Sequence, residues 1–153
     1  MFKRDSIKLV MLDRDGVINR ESSRYVRTVD EWTPIPGSLE AIAALNQAGK
    51  YVAVVTNQSG IARGYYSEAT LLAMHDKMNT LLKGVNGHVD AIAYCPHHPD
   101  AKCPCRKPKP KMLMDHMQRF QIKPEQAIMV GDSKVDVGAA QNAHVTPIIV
   151  NTG

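Results

Sequence analysis

The sequence predicts an α/β fold in which a parallel sheet is flanked by helices. Apolar runs of strand length alternate along its 153 residues with segments whose apolar side chains recur at helical spacing. One run, residues 51–55, is continuously apolar and rich in valine, as expected for a central strand covered on both faces. Since no linker, repeat or low-complexity segment interrupts the alternation, we expect a single domain over residues 1–153.

The first third of the chain is predicted to contain one strand, one long loop and one helix. The strand begins at Leu9 and ends where two carboxylates, Asp13 and Asp15, precede a glycine. Residues 19–36 are charged and lack a helical period, which is typical of a functional loop. Ser38 is the expected N-cap of the helix. Its predicted buried face comprises Leu39, Ile42, Ala43 and Leu45.

The middle of the chain is predicted to form a second strand and a longer helix. The strand over residues 51–55 ends in a polar cluster that begins with Thr56 and Asn57. Ser67 is expected to cap the helix, which continues to Lys83 and ends before a glycine. The residues at helical spacing that should face the core are Leu71, Leu72, Met74, Met78 and Leu81.

The last part of the chain is predicted to alternate three further strands with two helices. Strands are expected over residues 89–94, 127–130 and 147–150, and helices over residues 111–120 and 134–142. The strand over residues 127–130 is followed by Asp132, with Asp136 four residues later. A third strand therefore ends in a polar cluster.

The polar clusters at these strand ends are expected to meet at one edge of the sheet. The carboxyl ends of parallel strands lie together, and ligands of open α/β sheets bind there. Asp13, Asp15 and Asp132 would form an oxygen-rich set suited to Mg²⁺. A hydroxyl from Thr56 and a cation from the basic run 106–111 would complete the groups that phosphoryl transfer requires. Each residue alone also fits a turn, a helix cap or solvated surface, but their convergence favours a site.

The loop after the third strand contains all three cysteines of the chain. Cys95 and His97 are separated by one residue, as are Cys103 and Cys105, and four such ligands form a closed zinc site. This zinc is expected to be structural and to stiffen a loop with little apolar content. His98 is the alternative fourth ligand, and a disulfide is the competing interpretation, which an odd cysteine count disfavours. The remaining histidines are predicted to be non-functional and without partners: His75, His88, His116 and His144.

Composition excludes several classes of protein. Hydrophobic content of 44% and charged content of 22% are those of a globular protein, and no apolar run approaches the length that spans a membrane. Residues 1–5 do not open a signal peptide, so we expect a cytoplasmic protein with no membrane partner. The net charge of +4 suits an anionic partner. Since aromatic residues are only 5% and no basic run is interleaved with them, a phosphorylated small molecule is favoured over nucleic acid.

Four motifs resemble those of the haloacid dehalogenase superfamily, within its histidinol-phosphate and heptose-bisphosphate phosphatase branch. They are Asp13-Arg14-Asp15-Gly16-Val17, Thr56-Asn57-Gln58-Ser59-Gly60, the cysteine loop with its Arg106-Lys107-Pro108 extension, and Gly131-Asp132-Ser133. The resemblance covers nearly the whole chain, with the motifs in the family's order. It implies a three-layer, Rossmann-like fold with a zinc-bound loop, in which Cys95, His97, Cys103 and Cys105 hold the zinc.

The resemblance also implies a role for each carboxylate of the site. Asp13 would be the nucleophile that forms an aspartyl-phosphate, and Asp15 would act as general acid and then as general base. Mg²⁺ would be held by the Asp13 carboxylate, the Asp15 backbone carbonyl and Asp132. Asp136 would lie outside the metal's direct ligands.

The same resemblance implies which residues contact the substrate. Thr56 and Lys107 would hold the phosphoryl oxygens, and Arg106 would contact the distal part of the substrate. The further substrate contacts that it implies are Asn19, Glu21, Tyr25, Asn57, Gln58, Ser59 and Ser133.

The activity implied is Mg²⁺-dependent hydrolysis of a sugar phosphate. The expected reaction removes the 7-phosphate of a heptose 1,7-bisphosphate, a step toward the core heptose of bacterial lipopolysaccharide. Histidinol phosphate is the alternative substrate, because only five residues separate His97 from Cys103, as in relatives that hydrolyse it. A non-catalytic, zinc-stapled module that binds a phosphorylated ligand is the alternative of another class. A monomer is expected, since no element has a spare apolar face, and relatives continue into a helix where this chain ends at Gly153.

Overall fold

The structure is a three-layer α/β sandwich, as predicted. The computed structural model describes residues 6–152; the signal-free start predicted for residues 1–5 and the final Gly153 lie outside this range. The strands are β1 (Leu9–Leu12), β2 (Tyr51–Asn57), β3 (Ala91–Cys95), β4 (Ala127–Gly131) and β5 (Thr146–Ile149). The helices are α1 (Ser38–Gln47), α2 (Glu68–Lys83), α3 (Lys111–Phe120) and α4 (Lys134–Asn142). No helix within the described range is long and apolar enough to cross a bilayer.

All five strands pair in parallel in the order β3-β2-β1-β4-β5. Leu9 of β1 pairs with Tyr51 of β2 and with Ala127 of β4, so the three central strands begin level with one another. At the other end, Thr56 and Asn57 extend β2 beyond β1 and pair with Tyr94 and Cys95 of β3. The polar residues that follow β1, β2 and β4 therefore share one edge of the sheet.

Alternating side chains of the strands feed two separate cores. Val10, Val52 and Val54 pack on one face against α1 and α2. Leu9, Val55 and Met129 pack on the other face against α3 and α4. Since successive strand residues point to opposite faces, a strand covered on both sides must be apolar throughout, which explains the unbroken run in β2.

The predicted helices α3 and α4 have the bounds found in the structure, but details of α1 and α2 differ. Ser38 is not the N-cap: Gly37 precedes the helix with φ 88°, and the Ser38 hydroxyl donates to the Ile18 carbonyl at 2.7 Å. Ser67 does cap α2, because its hydroxyl accepts from the Thr70 amide. Leu72 is 50% exposed and Leu81 37% exposed, contrary to prediction. The buried face of α2 turns instead through Leu71, Met74, His75, Met78 and Leu82.

The predicted bounds of β2, β3, β4 and β5 shift by one or two residues. β3 begins two residues later than predicted and continues to Cys95, because Thr56 and Asn57 lengthen its partner β2. β5 begins at Thr146, one residue earlier than predicted. Because β3 continues to Cys95, this predicted zinc ligand pairs with Asn57, the last residue of β2.

Residues 19–36 form the predicted irregular loop, which folds back over the helical layer. Trp32, which belongs to this loop, is fully buried. Lys77 of α2 donates to the carbonyls of Val29 and Trp32 at 2.9 and 2.7 Å. The loop thus has a fixed position against α2, next to the carboxyl end of β1.

Candidate active site

The carboxyl edge of the sheet opens into a cavity of about 390 Å³. This volume lies within the range of small-molecule sites. The cavity is lined by many of the predicted site residues: Asp13, Asp15, Glu21, Tyr25, Asn57, Gln58, Lys107, Asp132 and Ser133. Asn19, Thr56, Ser59 and Arg106 are not among its described lining residues. Tyr66, which the sequence did not single out, is among them.

Lys107 is the cation at the centre of the cavity floor. Its side chain is 2% exposed, and Nζ donates to Asp13 Oδ1 at 3.0 Å, Asp136 Oδ1 at 2.6 Å and the Val55 carbonyl at 2.9 Å. Burial opposes the charged form, but the two carboxylates raise the pKa of Lys107 above its ordinary value. Lys107 therefore remains an ammonium ion beside Asp13.

Asp13 lies among more negative charge than one ammonium ion neutralises. Its Oδ1 also accepts from the Arg14 amide at 2.8 Å. Burial raises the pKa of Asp13 to about 7, and Asp136 and Asp15 add to the rise while Lys107 opposes it. Burial and Asp136 likewise raise the pKa of Asp132. A divalent cation in contact with these carboxylates would favour their ionised forms.

The donor set at this edge fits such a cation. Carboxylate oxygens of Asp13, Asp132 and Asp136 lie within 4.8 Å of one another. Asp136 is 1% exposed; besides holding Lys107, it accepts from the Asp132 amide at 3.2 Å and the Ser133 hydroxyl at 3.1 Å. A Cβ at Gly131 would overlap Asp136, so this close packing requires glycine. Hard oxygen ligands of this kind suit Mg²⁺.

Asp15 has a different environment from Asp13. Its Oδ1 accepts from Arg14 Nη2 and from Asn19 Nδ2, both at 2.8 Å, and its Oδ2 accepts from Gln58 Nε2 at 2.9 Å. Although burial alone would raise the pKa of Asp15, the Arg14 guanidinium and these hydrogen bonds bring it below the ordinary value. Protein donors thus hold both oxygens of the Asp15 side chain, which also lines the cavity.

Arg14 is a buried residue of the site that sequence reasoning missed. It is fully buried, and its Nη1 lies 3.7 Å from Met74 Sδ and 3.4 Å from His75 Nε2. The prediction that His75 lacks a partner is therefore wrong. It is also wrong for two other histidines: His88 Nε2 lies 3.1 Å from Asp90, and His116 Nε2 lies 2.9 Å from the Val54 carbonyl.

The remaining predicted contacts differ in what they can reach. Glu21 lines the cavity, and burial together with Asp132 raises the pKa of its carboxyl group. Tyr25 lines the cavity and has a backbone φ of 66°. The centroid of its ring lies 5.1 Å from that of the Tyr65 ring. Ser59 is 7% exposed and accepts from Arg63 Nε at 3.4 Å. Asn19 and Ser59 thus contact other protein groups beside the cavity.

Asn57 connects the strand edge to the loop that supplies Lys107. Its Oδ1 accepts from the Lys107 amide at 3.0 Å, and its Nδ2 donates to the Lys107 carbonyl at 3.2 Å. Both polar atoms of the Asn57 side chain therefore hold the backbone of Lys107. The neighbouring Arg106 has a buried Nη1 with no hydrogen-bond partner in the described part of the chain.

The cysteine loop brings its four predicted ligands together. One atom from each of Cys95, His97, Cys103 and Cys105 lies within 4.8 Å of all the others. All three cysteines are free. His98, the alternative ligand, instead accepts from the Asp100 amide with its Nδ1. Three thiols and one imidazole at this proximity are the donor set of a structural zinc site.

Comparison with known proteins identifies the class to which this fold and site belong. A family model for haloacid dehalogenase-like hydrolases matches residues 10–144. The chain belongs to this family, which confirms the resemblance of its motifs and the prediction of an enzyme that hydrolyses phosphoric monoesters.

Individual relatives match nearly the whole of this chain and about four-fifths of their own length. The D-glycero-beta-D-manno-heptose-1,7-bisphosphate 7-phosphatase of Pseudomonas putida is 54% identical over 147 residues, which are 96% of this chain and 84% of that protein. The crystal structure of D,D-heptose 1,7-bisphosphate phosphatase from Bordetella bronchiseptica, complexed with magnesium and phosphate, has 50% identity and a TM-score of 0.93 over 96% of this chain and 82% of that one. The corresponding phosphatase from Burkholderia thailandensis has 43% identity and a TM-score of 0.72, covering 95% and 79% of the two chains.

Proposed function

We propose that the chain removes the 7-phosphate of D-glycero-β-D-manno-heptose 1,7-bisphosphate through an aspartyl-phosphate on Asp13. The observation that carries the proposal is the Asp13 carboxylate itself, which lines the cavity 3.0 Å from Lys107 Nζ and two residues from Asp15. A nucleophile, a cation and a second carboxylate are the groups that phosphoryl transfer through a covalent intermediate uses. The heptose substrate is supported by relatives with 50% identity or more.

The proposed reaction has two displacements at phosphorus. In the first, an Asp13 oxygen bonds to phosphorus, the bond from phosphorus to the sugar oxygen breaks, and Asp15 gives that oxygen a proton. In the second, water attacks the aspartyl-phosphate, Asp15 takes the proton of the water, and the bond between phosphorus and Asp13 breaks to release inorganic phosphate. Lys107 stabilises the charge on the phosphoryl oxygens in both steps.

A magnesium ion fits the anionic edge of this cavity. Asp13 and Asp132, with the Asp15 backbone carbonyl, would hold it, and it would neutralise charge on the transferring phosphoryl group. Asp136 is assigned to Lys107, whose ammonium it contacts at 2.6 Å. The magnesium of the Bordetella bronchiseptica structure supports this cofactor.

A structural zinc fits the cysteine loop. Lys107 follows the ligand Cys105 by two residues, so zinc binding would restrict where the loop can place Lys107 and Arg106. Arg106, which lies directly before Lys107 but does not itself line the cavity, is the proposed contact for the distal part of an anionic substrate.

Histidinol phosphate is the second candidate substrate, and the short cysteine loop favours it. The same Asp13 chemistry would act on it. A module that only binds a phosphorylated ligand is disfavoured, because ligand binding does not require a buried carboxylate paired with a lysine.

A phosphate-release assay with Mg²⁺ tests this proposal. Wild type should release one phosphate from heptose 1,7-bisphosphate with a kcat/KM at least tenfold above that for histidinol phosphate. Asp13→Asn should lose at least about 10⁴-fold in kcat, because the nucleophile is gone. Asp115→Asn, the same change at an exposed position of α3, is the control and should match wild type. Wild type without phosphate release would leave only the binding module, and a preference for histidinol phosphate would overturn the heptose substrate.

A further inference from the structure

Gln58 has a side-chain amide whose polar atoms are all engaged with the protein. The residue is 3% exposed. Its Nε2 donates to Asp15 Oδ2 and to Thr56 Oγ1, both at 2.9 Å, and its Oε1 accepts from the Tyr66 hydroxyl at 2.5 Å. One amide group therefore connects the carboxylate of Asp15 with the hydroxyl of Thr56. Both polar atoms of the Gln58 side chain therefore already have protein partners.

The chemistry of its neighbours decides which way this amide points. An amide oxygen next to the Asp15 carboxylate would place two acceptors in contact, so the NH₂ group must face Asp15. The oxygen then faces Tyr66, which must be the donor. Burial raises the pKa of Tyr66 to about 12, so the hydroxyl keeps its proton at ordinary pH.

Tyr66 has a fixed place because its ring lies directly on the backbone of Gly60. A Cβ at Gly60 would overlap the Tyr66 ring. Tyr66 is 9% exposed and immediately precedes the Ser67 cap of α2. The start of α2 and the loop after β2 thus meet at this contact, and the hydroxyl is aimed at Gln58.

The other side of Asp15 is saturated with donors. Its Oδ1 accepts from Arg14 through both Nη2 and Nε, at 2.8 and 3.3 Å, and from Asn19. An oxygen with three donors has no lone pair left for a proton. Oδ2, which has the single donor from Gln58, is therefore the oxygen that exchanges a proton with substrate or water.

Thr56 is constrained by the same amide. Its Oγ1 accepts from Gln58, so its own hydroxyl proton must point elsewhere, and its described protein acceptor is the Asn57 carbonyl at a long 3.5 Å. That proton is therefore not committed to a close protein acceptor among the described residues, although Thr56 is 1% exposed and lies just behind the residues that line the cavity.

We propose that Gln58, oriented by Tyr66, is the positioning residue that sets both proton directions of this site. It holds Asp15 so that Oδ2 faces the reacting oxygen, and it turns the Thr56 hydroxyl proton toward the phosphoryl group. Gln58 thus acts through other residues and does not contact the substrate. This inference rests on the proposed phosphatase function and assigns within it a role that the motif resemblance did not imply.

Kinetics of Gln58→Met and Tyr66→Phe with two substrates test the proposal. Gln58→Met should lower kcat for heptose 1,7-bisphosphate about 100-fold with KM changed less than threefold, because proton transfer and not binding is affected. With p-nitrophenyl phosphate, whose leaving group departs without a proton, the loss should be less than about tenfold. Tyr66→Phe should lower kcat for the heptose substrate about tenfold, with Tyr51→Phe at the far end of β2 as its matched control.

The double variant distinguishes positioning from independent packing effects. If Tyr66 acts through Gln58, the double variant should lose about 100-fold, as Gln58→Met does alone; independent effects would give about 1,000-fold. Thermal unfolding of each variant verifies that it is folded. If Gln58→Met does not fold, the kinetics of Tyr66→Phe alone test the proposal. A rise in KM with unchanged kcat, or independent losses, would overturn the proposal. Wild type active on histidinol phosphate but not on the heptose substrate would overturn the heptose substrate, while the cycle measured with histidinol phosphate still tests Gln58. Wild type inert toward all three substrates would overturn both.

Discussion

Asp13 and Asp15 leave the same strand end but have opposite electrostatic surroundings. Asp13 shares an ammonium ion with Asp136, and burial raises its pKa to about 7. Asp15 faces the guanidinium of Arg14, which with other donors brings its pKa below the ordinary value despite burial. The two carboxylates are therefore distinct groups although they are two positions apart, and a divalent cation beside Asp13 would favour the ionised form that the proposed nucleophile needs.

The buried His75 should make the stability of the protein depend on pH. Burial, with Arg14 adding to it, lowers the pKa of His75 from 6.5 to about 4. Below pH 6.5 the unfolded chain binds a proton that the folded chain refuses until about pH 4. The contribution of neutral His75 is thus complete above pH 6.5 and is lost as the pH falls toward 4, by up to about 3 kcal/mol.

Urea unfolding at pH 7 and pH 4.5 measures this effect. His75→Gln, which keeps an acceptor for Arg14 but does not titrate, should lose less stability than wild type over this interval. His88→Gln is the control, because the His88 side chain is 61% exposed. Equal losses in wild type and His75→Gln would show that His75 does not carry the pH dependence.

At the residue scale, the sequence predicted which residues lie at the strand ends better than which side chains hold them in position. Asp13, Asp15 and Asp132 follow apolar runs directly, and parallel strands bring such residues to one edge. Arg14 lies between two acids and looks like a surface charge; its burial depends on where α2 crosses, which no local pattern encodes. Tyr66 lies outside every periodic segment, so its contact with Gln58 could not be predicted.

At the scale of elements, α2 shows why helical spacing alone did not identify the core. Leucines occupy several faces of this helix, and a choice among them needs the position of the sheet. The structure buries Leu71 fully and leaves Leu72 50% exposed. His75 takes a core position beside Arg14, although the hydrophobic pattern left it out of the predicted buried face.

This pair of adjacent leucines predicts two very different truncation effects. Leu71→Ala should destabilise the protein by about 2–5 kcal/mol, because it leaves a cavity in the core between α2 and the sheet. Leu72→Ala should cost less than about 1 kcal/mol, because the side chain is already half in solvent. Urea unfolding curves give both values when the dependence of the free energy of unfolding on urea concentration is the same in the variants and in wild type. Comparable losses would contradict the assignment of the buried face.

The cysteine loop should contain about one zinc ion per chain. His97→Asn should lose the zinc and lower kcat at least tenfold, since Lys107 follows the site on the same loop. His98→Asn is the matched control and should keep both metal and activity, because the described contacts of the His98 ring are with the amide and the carboxylate of Asp100 in its own turn. Metal analysis with the phosphate assay measures both properties. Zinc lost from His98→Asn and kept by His97→Asn would reverse the ligand assignment.

At the scale of the whole molecule, the sheet collects carboxylates from the ends of β1 and β4 into one anionic cavity. Burial first, and then repulsion between neighbouring carboxylates, raises the pKa of Asp132 and Glu21 as well as Asp13. A cation that binds only the folded state would relieve this repulsion.

Magnesium should therefore stabilise the folded protein measurably. At about 100 times its Kd, Mg²⁺ should add about 2.7 kcal/mol to the free energy of unfolding of wild type. Asp132→Asn should respond much less to Mg²⁺, because one of the proposed ligands is lost. Thermal unfolding with and without Mg²⁺ measures the difference, with Ca²⁺-free buffer throughout and Asp115→Asn as the control. An equal response of Asp132→Asn and wild type would exclude Asp132 as a ligand.

A monomer was expected because no element had a spare apolar face. A groove of about 390 Å³ lies beside α1, and its walls include Val10, Leu12, Ile42 and Val130. Val10, Leu12 and Ile42 are nevertheless buried, so the groove exposes little of the sheet. A monomeric state and a cytoplasmic location stay predictions.

The cysteine loop closes on a single residue at both of its ends. Its first residue, Cys95, pairs with Asn57 across the sheet, and its last, Lys107, is held by the Asn57 amide on both backbone sides. Residues 95–107 are thus held at both ends by Asn57, and they carry the four proposed zinc ligands together with Arg106 and Lys107. Grafting this whole unit from a relative with another substrate preference, while keeping Asn57, should transfer recognition without any redesign of the sheet.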